Sequence, residues 1–141
     1  MKLAFLSILL FLNIPTLPKT GSIEINIQDL SSDKGIIQVL VFDQEKGWPE
    51  SVDDAWMALG IPIKNGVAKK TIPDVPEGNY AITVFHDEDE DGLIRKNKVG
   101  YPLDDFGFSN NPSLLFGVPS FTKCSEKVES GSTTQFEIEL R

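Results

Sequence analysis

The sequence predicts an all-β protein: an antiparallel β-sandwich of about seven strands, with one short helix in a connection. Three observations lead there. Short runs with apolar residues at every second position recur along the chain, and a period of two belongs to half-buried strands. Gly, Pro and Asn turn signals separate these runs. Long helical patterns between strands, which βαβ units need, do not occur.

The first run, "SIEINIQDL", places Ile23, Ile25 and Ile27 against Glu24, Asn26 and Gln28 and predicts a strand over 23–29. After the turn "SSDKG", the run "IIQVLVFD" is apolar on both faces, as a central strand over 36–43 requires. Next, "SVDDAWMALG" offers Ser51 as an N-cap, acids in a first turn and Gly60 as a stop, which predicts the one helix. Trp48 and Trp56 are expected to cap the core from this connection rather than form an aromatic binding platform. Asn65-Gly66 suits a type I′ hairpin turn and leads into a short strand from Val67 to Ile72. "VPEGNY" resembles the turn-and-tyrosine entry of small transthyretin-like and immunoglobulin-like sandwiches, in which a tyrosine hydrogen-bonds back over its turn. It opens a strand over 79–86, and "TTQFEIELR" supplies the last, over 133–140. Between Asp87 and Ser120 no long regular element is expected, and neither an internal repeat nor a linker is visible.

The chain has 141 residues, a one-domain length. Lys2, the apolar run Leu3 to Ile14 broken only by Ser7 and Asn13, and the prolines Pro15 and Pro18 read as a secretory signal peptide over 1–22, ahead of a single domain over 23–141. No A-x-A-like motif fixes the cleavage point. The apolar run is too short to span a bilayer. Removing 22 of the 141 residues leaves 119, enough for a real core. Lys2 and Lys19 leave with the signal, so 11 of the 13 cations face 21 acids and the net charge becomes −10. That charge excludes nucleic acid and anionic membrane surfaces as natural partners and leaves metal cations and basic partners. The expected location is periplasmic or secreted. One cysteine, Cys124, rules out an internal disulfide and reads as a small buried thiol, with an intermolecular bridge as the alternative.

The densest chemistry lies in "HDEDEDGLIRKNK", residues 86–98, where Asp87 to Asp91 form an unbroken acidic run. As a calcium loop, Asp87, Asp89 and Asp91 take positions 1, 3 and 5, Gly92 takes position 6, and Leu93 offers a backbone carbonyl at position 7. Alternate side chains in a tight turn converge on one point, and calcium prefers oxygen donors. Against this, position 12 is Lys98 rather than a bidentate glutamate, and position 9 is Arg95. The loop leaves a strand, so it is no EF-hand, and further ligands would come from Asp104 or Asp105. The competing reading is a solvated turn whose own Arg95, Lys96 and Lys98 balance the acids.

His86 reads either as a general base oriented by Asp87 or Asp89, the basis of a hydrolase or lyase, or as a structural group bonding the loop after it. With a single histidine, zinc is not expected. No G-x-S-x-G, P-loop or dinucleotide-binding glycine pattern occurs. In "FGFSNN", Asn110 and Asn111 can bind a small polar ligand while Phe106 and Phe108 stack on it, as in a sugar site. Equally, the phenylalanines can plug the sandwich while the asparagines hold turns.

The segment Phe85 to Pro112 resembles a bacterial exported family, domain of unknown function 2141, whose pattern runs F-H-D-x-N-x-N-G-x-L-D, then G-x-P, then y-G-F-S-N-N, then P-S-F. Phe85, His86, Asp87, Gly92, Gly100, Pro102, Gly107 to Asn111 and Pro119 to Phe121 carry the match. Asp89 and Asp91 replace asparagines, and Arg95 replaces an aspartate. The resemblance implies envelope export and a small β-sandwich. The expected function is therefore a non-catalytic envelope binding or scaffold module, stabilised by calcium if the acidic loop binds it. A structural protein that pairs through a sheet edge and an enzyme built on His86 are the alternatives.

Overall fold

The computed structural model describes residues 16–17 and 19–141. The signal-peptide reading therefore falls mostly outside the described residues. Eight strands and one short helix are found among those described: β1 (Thr20–Ile27), β2 (Ile36–Phe42), β3 (Met57–Pro62), β4 (Ala68–Pro76), β5 (Gly78–Asp87), β6 (Phe106–Phe108), α1 (Phe121–Cys124), β7 (Glu126–Val128) and β8 (Thr133–Ile138). One sheet has the order β4-β1-β8; the other runs β3-β2-β5-β6, with β7 also pairing β5. The result is the two-layer sandwich that alternating strands demand.

The inner faces follow the period of two. Ile23, Ile25 and Ile27 of β1 meet Ile37, Val39 and Val41 of β2, Ile82 and Val84 of β5, and Phe136 and Ile138 of β8 in one buried core. Fully burying a side chain of this size contributes about 1.5–3 kcal/mol. β2 is central, flanked by β3 and β5, as its two apolar faces require. Its outer face has a second, smaller cover. Phe42 packs edge-on against Trp48 at 5.4 Å, and Trp48 contacts Phe108 and Phe121 at 5.8 and 6.1 Å. Trp56 stands edge-on to Tyr80 at 5.3 Å. Both tryptophans are thus core caps.

Two turns follow from local chemistry. Asn65 and Gly66 have φ of 53° and 74°, the paired positive angles of a type I′ turn, and Lys64 bridges Val67 across it. Tyr80 donates its hydroxyl to the Pro76 carbonyl at 2.9 Å, closing the corner where the chain passes from β4 in one sheet to β5 in the other.

Two expectations are corrected. The helix over 51–60 does not form. Val52–Asp54 make a single 3-10 turn, Ser51 makes no side-chain cap bond, and its hydroxyl instead donates to Asp54 Oδ2 at 2.8 Å. From Met57 the chain becomes β3, because the open edge of β2 needs backbone partners and finds them from Val41↔Met57 to Ile36↔Pro62. β8 pairs β1 in parallel, so the sandwich is antiparallel except at this one ladder. The eight strands agree with the expected number of about seven; β6 and β7, only three residues each, are too short to show a period.

The first strand begins at Thr20, not Ile23. Thr20 and Gly21 pair with Pro76 and Val75. Glu77 N–H donates to the Lys19 carbonyl at 3.2 Å, Gly131 N–H to the Thr20 carbonyl at 2.9 Å, and Ser22 N–H to the Ser132 carbonyl at 2.9 Å. A chain starting at Ile23 should be less stable in urea than one starting at Lys19, by about 2 kcal/mol, because it loses three backbone hydrogen bonds that each contribute about 0.5–1.5 kcal/mol. Equal unfolding midpoints would show that these residues do not belong to the folded unit.

Candidate functional site

The acidic loop leaves the end of β5, as the sequence reading expects. Side chains alternate across a strand, so the neighbours His86 and Asp87 face opposite sides of the sheet. His86 is 4% exposed, and its Nε2–H donates to the Lys34 carbonyl at 2.7 Å. Its backbone N–H donates to the Asp105 carbonyl at 2.8 Å. The imidazole thus bolts the turn before β2 to the end of β5.

Asp87 lies on the outer face and is 1% exposed. Its Oδ2 accepts from Gln38 Nε2 at 2.8 Å and from Gly92 N–H at 2.9 Å. Its Oδ1 is buried and has no hydrogen-bond partner among the described residues. Burial would raise the Asp87 pKa, but the hydrogen bonds from Gln38 and Gly92 outweigh it and hold the carboxyl below its ordinary 3.8. Gly35 lets the preceding turn press against this point. With φ at +68°, a Cβ there would lie 1.9 Å from the Asp87 carbonyl oxygen. Asp91 Oδ1 accepts from Leu93 N–H at 2.8 Å. One carboxylate oxygen from each of Asp87, Asp89 and Asp91 falls within 4.8 Å of the others. The spacing of these three carboxylates read from the sequence therefore converges in space.

Arg95, Lys96 and Asp104 are engaged elsewhere, while Lys98 is exposed. Asp104, buried, accepts from Arg95 N–H at 2.7 Å and from Arg95 Nε at 2.6 Å, and it also forms an ion pair with the same guanidinium. The bond to Asp104, then its charge, raises the Arg95 pKa; Asp89 and Glu88 contribute less. Lys96 pairs with Glu50 across the fold at 3.0 Å. Leu103 N–H donates to the Arg95 carbonyl and Asn97 N–H to the Tyr101 carbonyl, both at 2.8 Å, so residues 95–103 form a small clamped hairpin.

The "FSNN" group is stitched into the fold. Ser109, fully buried, accepts at Oγ from Ile82 N–H at 2.8 Å and donates to the Cys124 carbonyl at 2.6 Å. Asn110 and Asn111 adopt left-handed φ of 64° and 45°, which asparagine tolerates. Asn110 Nδ2 donates to the Lys123 and Ser125 carbonyls, both at 3.3 Å. Asn111 Nδ2 donates to the Glu137 carbonyl, and its Oδ1 accepts from Glu139 N–H, both at 2.9 Å. Phe108 is buried under Trp48, and Phe106 stands edge-on to Phe108 at 5.8 Å. The side chains that could have read a polar ligand hold their own backbone instead. No sequence signal pointed to the Asn111 bonds, since they join segments more than twenty residues apart.

One surface feature escaped the sequence reading. The connection from β5 to β6 exposes Leu93, Val99, Tyr101 and Leu103, and the connection from β6 to α1 exposes Leu115, Phe116 and Val118. Phe116 is 97% exposed and Leu115 86%. Patterning alone could not separate such residues from core, because "LLFGV" has no solvent-facing period.

Fold and site define a small two-sheet β-sandwich with an acidic loop at the end of β5 and exposed apolar residues on both connections flanking β6. The chain belongs to the family described as an uncharacterized protein conserved in bacteria, DUF2141, whose model matches residues 25–136. No curated protein and no solved structure matches it.

Two outcomes are expected. Asn111→Ala strips a donor and an acceptor from the β8 backbone and should lower the unfolding free energy by about 1–3 kcal/mol, read by urea denaturation. Burial pushes the Cys124 thiol up to about 11, against the pull of Lys123. The native protein should therefore fail to react with a disulfide reagent at pH 8 and react once unfolded in urea.

Proposed function

We propose that this protein is an exported, non-catalytic envelope module that binds another envelope protein through the two apolar connections flanking β6. The carrying observation is their exposure: among the described residues, seven of the nine exposed large hydrophobics lie on these two segments. Large apolar residues concentrated on a few exposed segments, rather than scattered singly, point to an interaction site. The fitting partner is a protein with an apolar patch and a basic rim, because this chain carries a net charge of −8 and Glu88 to Asp91 border the Leu93 end. A second copy would bring the same negative charge. An anionic lipid surface would repel it.

Three features support the non-catalytic half. The His86 ring is buried on a carbonyl, Asp87 faces the opposite side of the sheet, and Cys124 is buried with a raised pKa. Export is supported by the charged start and apolar run of residues 2–14.

A photo-reactive amino acid at Phe116 should yield one dominant adduct with an envelope protein in intact cells. The same group at Lys70, on the other sheet, should not. Leu115→Asp should remove the adduct while shifting stability by no more than about 0.5 kcal/mol, as for an exposed site. Equal adducts at both positions, or recovery of the protein in the cytoplasm, would overturn the reading.

A further inference from the structure

We propose that Asp87, Asp89 and Asp91 hold a calcium ion, anchored by the free Oδ1 of Asp87. This site is independent of the partner reading. Two observations point to it separately. The three carboxylates converge within 4.8 Å. Calcium sits about 2.3–2.6 Å from its oxygens, so ligands sharing one ion lie no more than about 5 Å apart. The second observation is the orphaned oxygen: Asp87 is 1% exposed, and its Oδ1 has no hydrogen-bond partner among the described residues. A buried charged oxygen without a partner is rare and asks for one.

Two of the loop's three cations are committed elsewhere, and the third, Lys98, is exposed. Arg95 is bound to Asp104, and Lys96 to Glu50. Gln38 and Gly92 hold Asp87 by Oδ2 only, which fixes the carboxylate and leaves the other oxygen for a metal. Such orientation of a ligand by its neighbours is usual at metal sites. Asp89 and Asp91 are exposed, so water can complete the shell. An all-oxygen set favours a hard ion, and the His86 nitrogen that could favour zinc donates to Lys34 instead. A mixed protein and water shell suits calcium better than magnesium, which demands near-ideal octahedral geometry.

Calcium chloride is titrated into the full chain, at fixed ionic strength, and followed by calorimetry and thermal melting against EDTA. The expected result is one-to-one binding and a rise of several degrees in Tm, with magnesium giving a smaller rise. Asp87→Asn tests the anchor, but it alters a buried group. The exposed pair Asp89→Ala/Asp91→Ala therefore serves as the main variant and should weaken binding about tenfold or more. Glu88→Gln/Glu90→Gln removes the same charge outside the site and should leave binding nearly unchanged. Equal weakening by both double variants, or equal responses to calcium and magnesium, would mean that diffuse charge screening acts here and would overturn the site. Failure of the Phe116 adduct would leave this result untouched.

Discussion

Backbone pairing along both edges of β5 is the constraint on which the rest depends. One edge carries the full ladder to β2, and the other is shared between β7 near Gly78 and β6 near Phe85. The pleat then sorts side chains without further instruction. Ile82 and Val84 enter the inner core, while Ala81 lies under the outer cover of Trp48, Phe108 and Phe121. The same pleat sends His86 and Asp87 to opposite faces at the strand's end. A one-residue slip would exchange both sets and bury the wrong face, so register here is strongly specified.

Charge is distributed in the same local way. The acidic run looks self-neutralising on paper, with Arg95, Lys96 and Lys98 close behind it. In space Arg95 turns to a buried carboxylate and Lys96 reaches Glu50 in the β2–β3 connection. The guanidinium contact is the stronger of the two, since it is a charge-assisted hydrogen bond to a buried carboxylate. The exposed lysine pair contributes little, about 0–1 kcal/mol. Neighbours in sequence are therefore a poor guide to ion pairing in a loop that doubles back on itself.

Much of the fold was legible because its strands are governed by a local period. Ile23, Ile25 and Ile27, the turn at Asn65-Gly66 and the Tyr80 corner could all be read from adjacent residues. β3 was misread although its signal was present: Met57, Leu59 and Ile61 alternate with Ala58, Gly60 and Pro62. Ser51, two acids and a glycine imitated helix boundaries, and the tertiary need of the β2 edge decided otherwise. The convergence of Asp87, Asp89 and Asp91 was legible from their spacing. The orphaned Oδ1 was not, because it depends on Gln38 arriving from another strand. The same holds for Asn111, whose partners lie on β8.

That asparagine has a consequence for how the molecule behaves in a crowded compartment. The carbonyl of Glu137 and the amide of Glu139 point along one side of β8, the row a neighbouring strand would use. A little further on, Phe106 and Arg141 exchange both backbone hydrogen bonds, at 3.1 and 2.9 Å. Open strand borders recruit other chains and seed fibres, and proteins usually blunt them with charge, proline or a bulge. Here a single amide side chain stands in for a strand and closes the border from within. The sandwich is sealed along its β6–β8 seam, which leaves β3 and β4 as the flanks where a foreign strand could dock.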